Sequence, residues 1–264
     1  MAEVLRWSAL FFFQQEGCVM KILGVIPARY ASSRFPGKPL ADIHGKPMIW
    51  WVYQQAKKVI DEVLVATDDE RIRGVCNESA IPVVMTSNRH PTGTDRVAEI
   101  AETIAADVYV NVQGDEPLIE PDALRQLISA IDAPAIDCVT LKNKITESSE
   151  ISNPNTVKIV TNQNDDALYC SRSIIPSNLR SYRGTIYRHV GIYAYRRDAL
   201  LQFIQTPQSE LELSEGVELL RAIENGCKVK VKSTMFSSVG VDTPTDLEKV
   251  RESLISKEKG NKNE

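Results

Sequence analysis

Residues 21–40 read "KILGVIPARYASSRFPGKPL", a short apolar run followed at once by a basic segment that contains three prolines. A nearly continuous apolar run such as 21–26 is typical of a parallel strand that is covered on both faces. The prolines prevent the segment after it from forming a helix. We therefore predict a first strand that ends in a stiff loop, and this loop carries Arg29, Arg34 and Lys38.

Similar apolar runs alternate with helical patterns along the rest of the chain. Residues 47–59 and 94–105 carry apolar side chains at helical spacing, which predicts two helices, the first with Pro47 at its first helical position. Alternation of strands and helices indicates an α/β fold with a mostly parallel, doubly wound sheet and right-handed crossovers. The predicted strands are residues 21–26, 62–67, 81–86, 107–112, 136–141 and 189–195.

The composition is that of an ordinary globular protein, with 264 residues of which 43% are hydrophobic. The net charge of −4 gives no indication of nucleic acid or an anionic membrane as a partner. The five cysteines are scattered without a CxxC pair, which argues against a disulfide framework or a zinc site and favours a reducing cytoplasm. The basic loop is therefore a local feature, suited to a small anionic ligand.

The two ends of the chain differ in character from the segment between them. Residues 1–19 contain an apolar patch of about six residues, shorter than the roughly 7–15 of a signal peptide and too short to span a membrane. We expect these residues to be an upstream start or a disordered extension. Residues 20–256 are expected to form a single domain, and residues 257–264 a charged tail.

Three loops are candidates for a binding site because ligands of open α/β sheets bind beyond the carboxyl ends of the strands. These loops are residues 27–40, 87–95 and 113–117. In the first, arginine and lysine suit phosphate oxygens, and prolines reduce the entropy lost when a triphosphate is held. Neither a P-loop pattern nor GxGxxG occurs in the chain. The alternative is a solvated basic turn.

The second loop contains "HPTGTDR", which places Thr92 and Asp95 at capping-box spacing ahead of the helix predicted at 94–105. Amides at a helix N-terminus also bind anions or base carbonyl groups. The alternative is a helix start without a ligand.

The third loop, in "NVQGDEPLI", places Asp115 at the end of a predicted strand. A second aspartate, Asp242, precedes a predicted helix in "VGVDTPTDLEKV", where Thr243 and Asp246 again have capping-box spacing. Two carboxylates near a polyphosphate predict a Mg²⁺ site and therefore phosphoryl or nucleotidyl transfer. Taken singly, each aspartate is more typical of a cap or a turn than of a metal site.

Six motifs together resemble the cytidylyltransferases that activate 3-deoxy-manno-octulosonate (Kdo), the CMP-Kdo synthetases. The resemblance covers residues 20–256, in the family's order. The motifs are "IPARYASSRFPGKPL", "HPTGTDR", "NVQGDEPLI", "YCSRSIIP", "RHVGIYAYRR" and "GVDTPTDLEKV".

The resemblance implies a three-layer α/β/α nucleotidyltransferase fold of the nucleotide-diphospho-sugar transferase type, a cytoplasmic homodimer and a requirement for Mg²⁺. In the implied reaction, the anomeric 2-hydroxyl of Kdo attacks the α-phosphate of CTP and pyrophosphate leaves. The product, CMP-Kdo, would serve lipopolysaccharide or capsule assembly. The metal would acidify the attacking hydroxyl and align it with the α-phosphate.

The resemblance also implies roles for individual residues. The catalytic group would be Lys38, Asp115, Asp242 and Arg29, with Asp115 and Asp242 binding the metal. The nucleotide site would be Arg29, Arg34, Lys38, Thr92, Gly93 and Arg96. The sugar pocket would be Gln113, Arg172, His189, Tyr193 and Glu218, although the histidine and the tyrosine are each also typical of a packed core.

One position departs from the family, because Leu219 stands where we expect a glutamine after Glu218. A lost amide would leave a sugar hydroxyl with one partner fewer, worth about 0.5–1.5 kcal/mol. If Leu219 packs beneath its helix, it says nothing about the substrate. The alternative functions are a cytidylyltransferase for 8-amino-Kdo or a sialic acid, and a regulatory protein that binds a nucleotide without turnover.

Overall fold

The structure, a computed structural model, describes residues 20–32, 34–133, 135–177, 184–236 and 240–260, with side chains as far as residue 255. The predictions for residues 1–19 lie outside the described residues, as does the end of the predicted tail. No helix in the described ranges is long and apolar enough to cross a membrane.

The described chain alternates strands and helices. The strands are β1 (Ile22–Ala28), β2 (Asp42–Ile43), β3 (Lys46–Pro47), β4 (Glu62–Thr67), β5 (Val83–Met85), β6 (Val108–Asn111), β7 (Cys138–Lys144), β8 (Lys158–Thr161), β9 (Ala167–Ser171), β10 (Tyr187–Arg196) and β11 (Val229–Ser233). The helices are α1 (Met48–Lys57), α2 (Glu70–Glu78), α3 (Gly93–Thr103), α4 (Pro121–Ile131), α5 (Ser148–Ser152), α6 (Arg197–Gln205), α7 (Glu210–Glu215), α8 (Leu219–Glu224) and α9 (Pro244–Gly260). A short 3-10 helix spans Lys38–Leu40.

The main sheet has the strand order β11-β7-β10-β6-β1-β4-β5. Strand β1 lies between β4 and β6 and is parallel to both, and β4 is parallel to β5 and β7 to β11. Strand β10 runs antiparallel to β6 and β7, and β8 and β9 form an antiparallel extension beside β10. The predicted mostly parallel α/β sheet is confirmed. The apolar run of β10 does not distinguish it from its parallel neighbours, so its direction is a finding of the structure.

Helices cover both faces of the sheet, which gives three layers. On one face lie α1, α2 and α4, with side chains such as Ile49 and Leu127 buried against the strands. On the other lie α3, α6 and α8, with Val97 and Leu200 buried in the same way. Burying one such aliphatic side chain stabilises the fold by about 1.5–3 kcal/mol. A third apolar cluster joins α9, through Val250, to the segment before α1.

The helix starts follow their capping residues. Thr92 and Asp95 form the predicted capping box of α3. Before α9, Thr243 N donates to Asp246 Oδ2 at 3.1 Å and Asp246 N donates to Thr243 Oγ1 at 3.3 Å. Pro47 is the N-cap of α1, one position earlier than predicted.

Three chain segments meet at the carboxyl edge of β1. Gly114 packs so closely on the end of β1 that an added Cβ would lie 2.9 Å from the Pro27 carbonyl oxygen. Beside it, Val241 N donates to the Asp115 carbonyl oxygen at 2.9 Å. The loops after β1 and β6 and the segment before α9 are therefore held together by backbone contacts.

We expect Gly114→Ala to destabilise the protein by about 1–3 kcal/mol, because the added methyl group overlaps backbone that cannot move as a side chain does. The measurement is urea unfolding followed by circular dichroism. The control is Gly74→Ala, since Gly74 lies within α2 with open space around its Cα. The control should gain about 0.5–1 kcal/mol from the better helix former. Equal stability of the two variants would contradict the close contact.

Candidate active site

A cleft of about 680 Å³ opens at the carboxyl edge of the parallel strands. The three predicted loops and the segment before α9 contribute Arg29, Thr92, Gly93, Gln113, Asp115 and Asp242 to its lining. Strand β10 and the residue before α8 contribute His189, Tyr193 and Glu218. The structure thus brings together nine of the residues that the sequence analysis selected.

A compact cluster of charges lies at the loop side of the cleft. Lys38 Nζ donates to Asp115 Oδ2 at 2.5 Å, to the Val241 carbonyl oxygen at 3.1 Å and to Asp242 Oδ1 at 3.3 Å. The guanidinium of Arg34 lies 3.0 Å from the same Asp242 oxygen. Two cations therefore balance two carboxylates.

The oxygen atoms in this cluster fit a hard divalent cation. Two carboxylates and one carbonyl oxygen converge on a single point, and oxygen is the ligand that Mg²⁺ prefers. Among the described residues there is no group of three or more histidine, cysteine, aspartate or glutamate side chains that could hold a metal. A cation here would therefore complete its shell with water or bound phosphate, as Mg²⁺ commonly does.

The N-terminus of α3 forms the next part of the wall. Thr92 Oγ1 accepts from Asp95 N at 3.2 Å, and Asp95 Oδ2 accepts from Thr92 N at 3.1 Å, so this pair closes the helix start. The amide of Thr94 donates to Glu218 Oε2 at 3.2 Å. Gly93, between them, faces the cleft without a side chain.

A buried ion cluster holds α3 against α7 and α8. The guanidinium of Arg221 is 2% exposed and donates to Asp95 Oδ1 at 2.8 Å and to Glu212 Oε2 at 2.7 Å. Removing one member of such a cluster typically costs about 3–5 kcal/mol, because a charge is left without its partner. The sequence analysis missed Arg221, since its partner Asp95 lies far away along the chain.

Arg96 does not lie in the cleft, contrary to the expectation that it seats the nucleotide. Its side chain is 4% exposed, donates to Thr86 Oγ1 and lies 3.0 Å from Asp68 Oδ2. The motif "HPTGTDR" places Arg96 one turn into α3. From there its side chain contacts the residues that follow β4 and β5, and it does not line the cavity.

The opposite wall is built on an irregularity in β10. The register of β10 against β7 shifts between Val190 and Tyr193. The Thr140 hydroxyl on β7 lies 3.0 Å from the carbonyl oxygens of Val190 and Ile192 and 3.0 Å from His189 Nε2. The Thr140 hydroxyl has a single hydrogen and so donates to only one of these acceptors, and its contact with Nε2 fixes the orientation of the His189 ring.

Burial disfavours the charged forms of the ionisable groups on this wall. It lowers the pKa of His189 to about 4. It raises the pKa of Tyr193 well above its ordinary value. Burial also raises the pKa of Glu218, against the opposing effect of hydrogen bonds from Thr94. This wall is therefore suited to hydroxyl groups.

Arg172 is not part of the cleft lining, contrary to its expected place in the sugar pocket. Its guanidinium donates to the carbonyl oxygens of Glu215 at 2.6 Å, Pro154 at 2.9 Å and Gly216 at 3.4 Å. The buried ammonium of Lys158 donates to the carbonyl oxygen of Arg172 at 3.0 Å. Arg172 thus joins two segments that border the cleft.

Several further residues line the cleft that the sequence analysis did not select. Arg188 precedes His189 within "RHVGIYAYRR", so the motif itself contained the signal. The others lie in segments without a recognisable pattern, and they include Asn155, Thr156 and Gln208. Leu219 is fully buried in the apolar cluster under α8. Its departure from glutamine is therefore a matter of packing.

Comparisons with known proteins agree with this geometry. The chain matches the family described as Cytidylyltransferase over residues 23–244. It is 48% identical over 249 residues to 3-deoxy-manno-octulosonate cytidylyltransferase of Geobacter sulfurreducens, covering 89% of this chain and 100% of that protein. It is 47% identical over 244 residues to the protein of the same name from Parabacteroides distasonis, covering 88% and 97%.

Comparison with solved structures agrees with the sequence comparison. A CMP:2-keto-3-deoxy-manno-octonic acid synthetase complexed with CTP matches with a TM-score of 0.84 and 45% identity over 90% of this chain and 99% of that chain. A putative glucose-1-phosphate thymidylyltransferase from Bacillus anthracis, at 14% identity, matches with a TM-score of 0.63 over 87% and 94%. The second match shows the fold alone.

The lowered pKa of His189 predicts a loss of stability in acid. The unfolded chain takes up a proton near the ordinary pKa of about 6.5, whereas the folded protein resists protonation until about 4. Stability should therefore fall as the pH drops from about 6.5 to about 4. We expect His189→Gln to lack this part of the pH dependence, measured as urea midpoints at neutral and acidic pH. The exposed His44→Gln serves as the control. An identical acid sensitivity in all three proteins would contradict the burial effect.

Proposed function

This chain belongs to the cytidylyltransferase family, and on that premise we propose that it transfers CMP from CTP to the anomeric 2-hydroxyl of Kdo. The hydroxyl oxygen bonds to the α-phosphorus, the bond from that phosphorus to the bridging oxygen breaks, and pyrophosphate leaves. The hydroxyl proton passes to solvent. The main support for the proposal is the arrangement of the cleft. One wall carries two carboxylates that are paired with cations, and the other carries hydrogen-bonding groups such as the neutral His189.

The cationic side of the cleft would hold the triphosphate. Arg29 is exposed and lines the cleft, and Lys38 and Arg34 lie at its edge on the same loop. An anionic nucleotide and an anionic sugar acid repel each other, so cations aimed at the developing charge stabilise the transition state. Arg29, Arg34 and Lys38 are the proposed source of this stabilisation.

Asp115 and Asp242 would hold Mg²⁺, together with the phosphates of the nucleotide. When bound, the cation supplies positive charge at the phosphate oxygens and favours the ionised form of the attacking hydroxyl. The two aspartates come from loops far apart in the chain, and the backbone bond from Val241 N to the Asp115 carbonyl oxygen keeps them adjacent.

The neutral wall would bind the sugar. His189, Tyr193 and Glu218 offer an imidazole, a phenol and a carboxyl group that can hydrogen-bond to hydroxyl groups. Gln113 adds an amide from the loop after β6. We assign Arg172 a supporting role in this pocket, because carbonyl oxygens already occupy its guanidinium.

The N-terminus of α3 would seat the cytidine. Thr92 and Gly93 line the cleft there, and the lack of a side chain at Gly93 leaves room for a base beside the helix start. Arg96 has no part in this proposal, since Asp68 holds its guanidinium away from the cleft.

The wider setting is also part of the proposal. We place the protein in the cytoplasm as a homodimer of a single domain, residues 20–256, that supplies CMP-Kdo for lipopolysaccharide or capsule assembly. Free thiols at the four cysteines that the structure describes suit a reducing compartment. The burial of Leu219 removes the sequence argument for 8-amino-Kdo.

Pyrophosphate release tests the substrate directly. The purified protein is given CTP and Mg²⁺ with Kdo, with 8-amino-Kdo or with a sialic acid. We expect release with Kdo to exceed release with the other two. Release with the amino sugar alone would identify 8-amino-Kdo as the substrate and leave the proposed reaction unchanged. CTP binding without any release would favour the regulatory alternative.

We expect Asp115→Asn to reduce turnover by about 100-fold or more while the fold is retained, because a charged oxygen ligand is replaced by a neutral one. The measurement is the rate of pyrophosphate release, with circular dichroism to confirm folding. Asp122→Asn is the matched control, since Asp122 is exposed on α4 and is not part of the cleft lining. A variant at Asp115 with full activity would rule out its proposed role.

A further inference from the structure

The ammonium of Lys38 lies at the point where the proposed metal ligands converge. Its three acceptors are Asp115 Oδ2 at 2.5 Å, the Val241 carbonyl oxygen at 3.1 Å and Asp242 Oδ1 at 3.3 Å. These are the two proposed ligand side chains and the carbonyl oxygen between them. The protein thus supplies its own cation to the carboxylates.

The backbone fixes the lysine in this place. Gly37 has a φ of 72°, a conformation that favours glycine, and begins the 3-10 helix that contains Lys38. Ala41 N donates to the Lys38 carbonyl oxygen at 3.0 Å. The Lys38 side chain is only 16% exposed, so its ammonium is poorly placed to leave for bulk water. The backbone conformation of the loop therefore determines the position of the Lys38 ammonium.

Electrostatics make the lysine and a divalent cation compete for these oxygens. Two cations in contact with the same carboxylates repel each other strongly. The guanidinium of Arg34, 3.0 Å from Asp242 Oδ1, neutralises that carboxylate further. The attraction that the cluster offers to a free metal ion is therefore small while both cations stay.

We propose that Lys38 blocks the metal site until a nucleotide arrives, so that metal and nucleotide enter together. Phosphate oxygens offer the ammonium new acceptors, and its departure exposes Asp115 and Asp242 to the incoming cation. This role of Lys38 goes beyond holding the triphosphate. It rests on the proposed function, because that proposal identifies Asp115 and Asp242 as the metal ligands. A cation alone should bind weakly to the free protein.

The test is Mn²⁺ binding in the absence of nucleotide, followed by the electron paramagnetic resonance signal of unbound Mn²⁺. We expect Lys38→Met to bind Mn²⁺ about tenfold more tightly than the wild type, or better, because two carboxylates lose their cation. Lys144→Met, at the exposed end of β7, makes the same change in net charge and should bind as the wild type does. The double variant Lys38→Met with Asp115→Asn should lose the gain.

Equal Mn²⁺ affinity in the wild type and a folded Lys38 variant would overturn the proposal. If circular dichroism shows that Lys38→Met does not fold, Lys38→Gln provides the same comparison with a neutral donor. An equal gain in Lys144→Met would also overturn it, since the effect would then come from net charge. Tighter Mn²⁺ binding in Lys38→Met, combined with a wild type inactive on all three sugars, would retain the lysine role and reject the proposed function.

Discussion

The parallel pairing of β1 with both β4 and β6 is the constraint on which the cleft depends. It sends the loops after β1 and β6 to the same edge of the sheet. The contact of Gly114 with the end of β1 and the bond from Val241 to Asp115 then bring the segment before α9 to that edge. Lys38, Asp115 and Asp242 come from distant parts of the sequence and meet at this edge because these backbone contacts hold their segments together.

The two walls of the cleft differ in their electrostatics. On the loop wall, charges are retained and paired, as Lys38 with Asp115 and Asp242 shows. On the β10 wall, burial disfavours charge, and His189 and Tyr193 are held neutral. One wall therefore suits a polyanion with its counter-ion and the other a polyhydroxylated ring.

The local features were predictable from sequence because their signals are local. Continuous apolar runs located β1, β4 and β6, and capping-box spacing located the starts of α3 and α9. Strands β8, β9 and β11 were missed because they are short and carry polar residues such as Lys158 and Lys230.

Features that depend on distant partners were not predictable. The cluster of Arg221 with Asp95 and Glu212 joins residues far apart in the chain, and no spacing rule indicates it. The motif that contains Arg96 places Thr92 and Gly93 in the lining of the cleft, whereas Arg96 itself is buried against Thr86 and Asp68, two partners that the motif does not indicate. The direction of β10 likewise depends on its pairing with β6 and β7.

That direction gives the molecule two functionally distinct edges. Because β10 runs against β6, it is the beginning of β10 that reaches the cleft, while its end leads into α6 on the far side of the sheet. A strand of this length separates the two edges by about 30 Å. The exposed Asp198 at the start of α6 is thus a place for a fluorophore or an immobilisation linker that leaves the cleft open to its ligands.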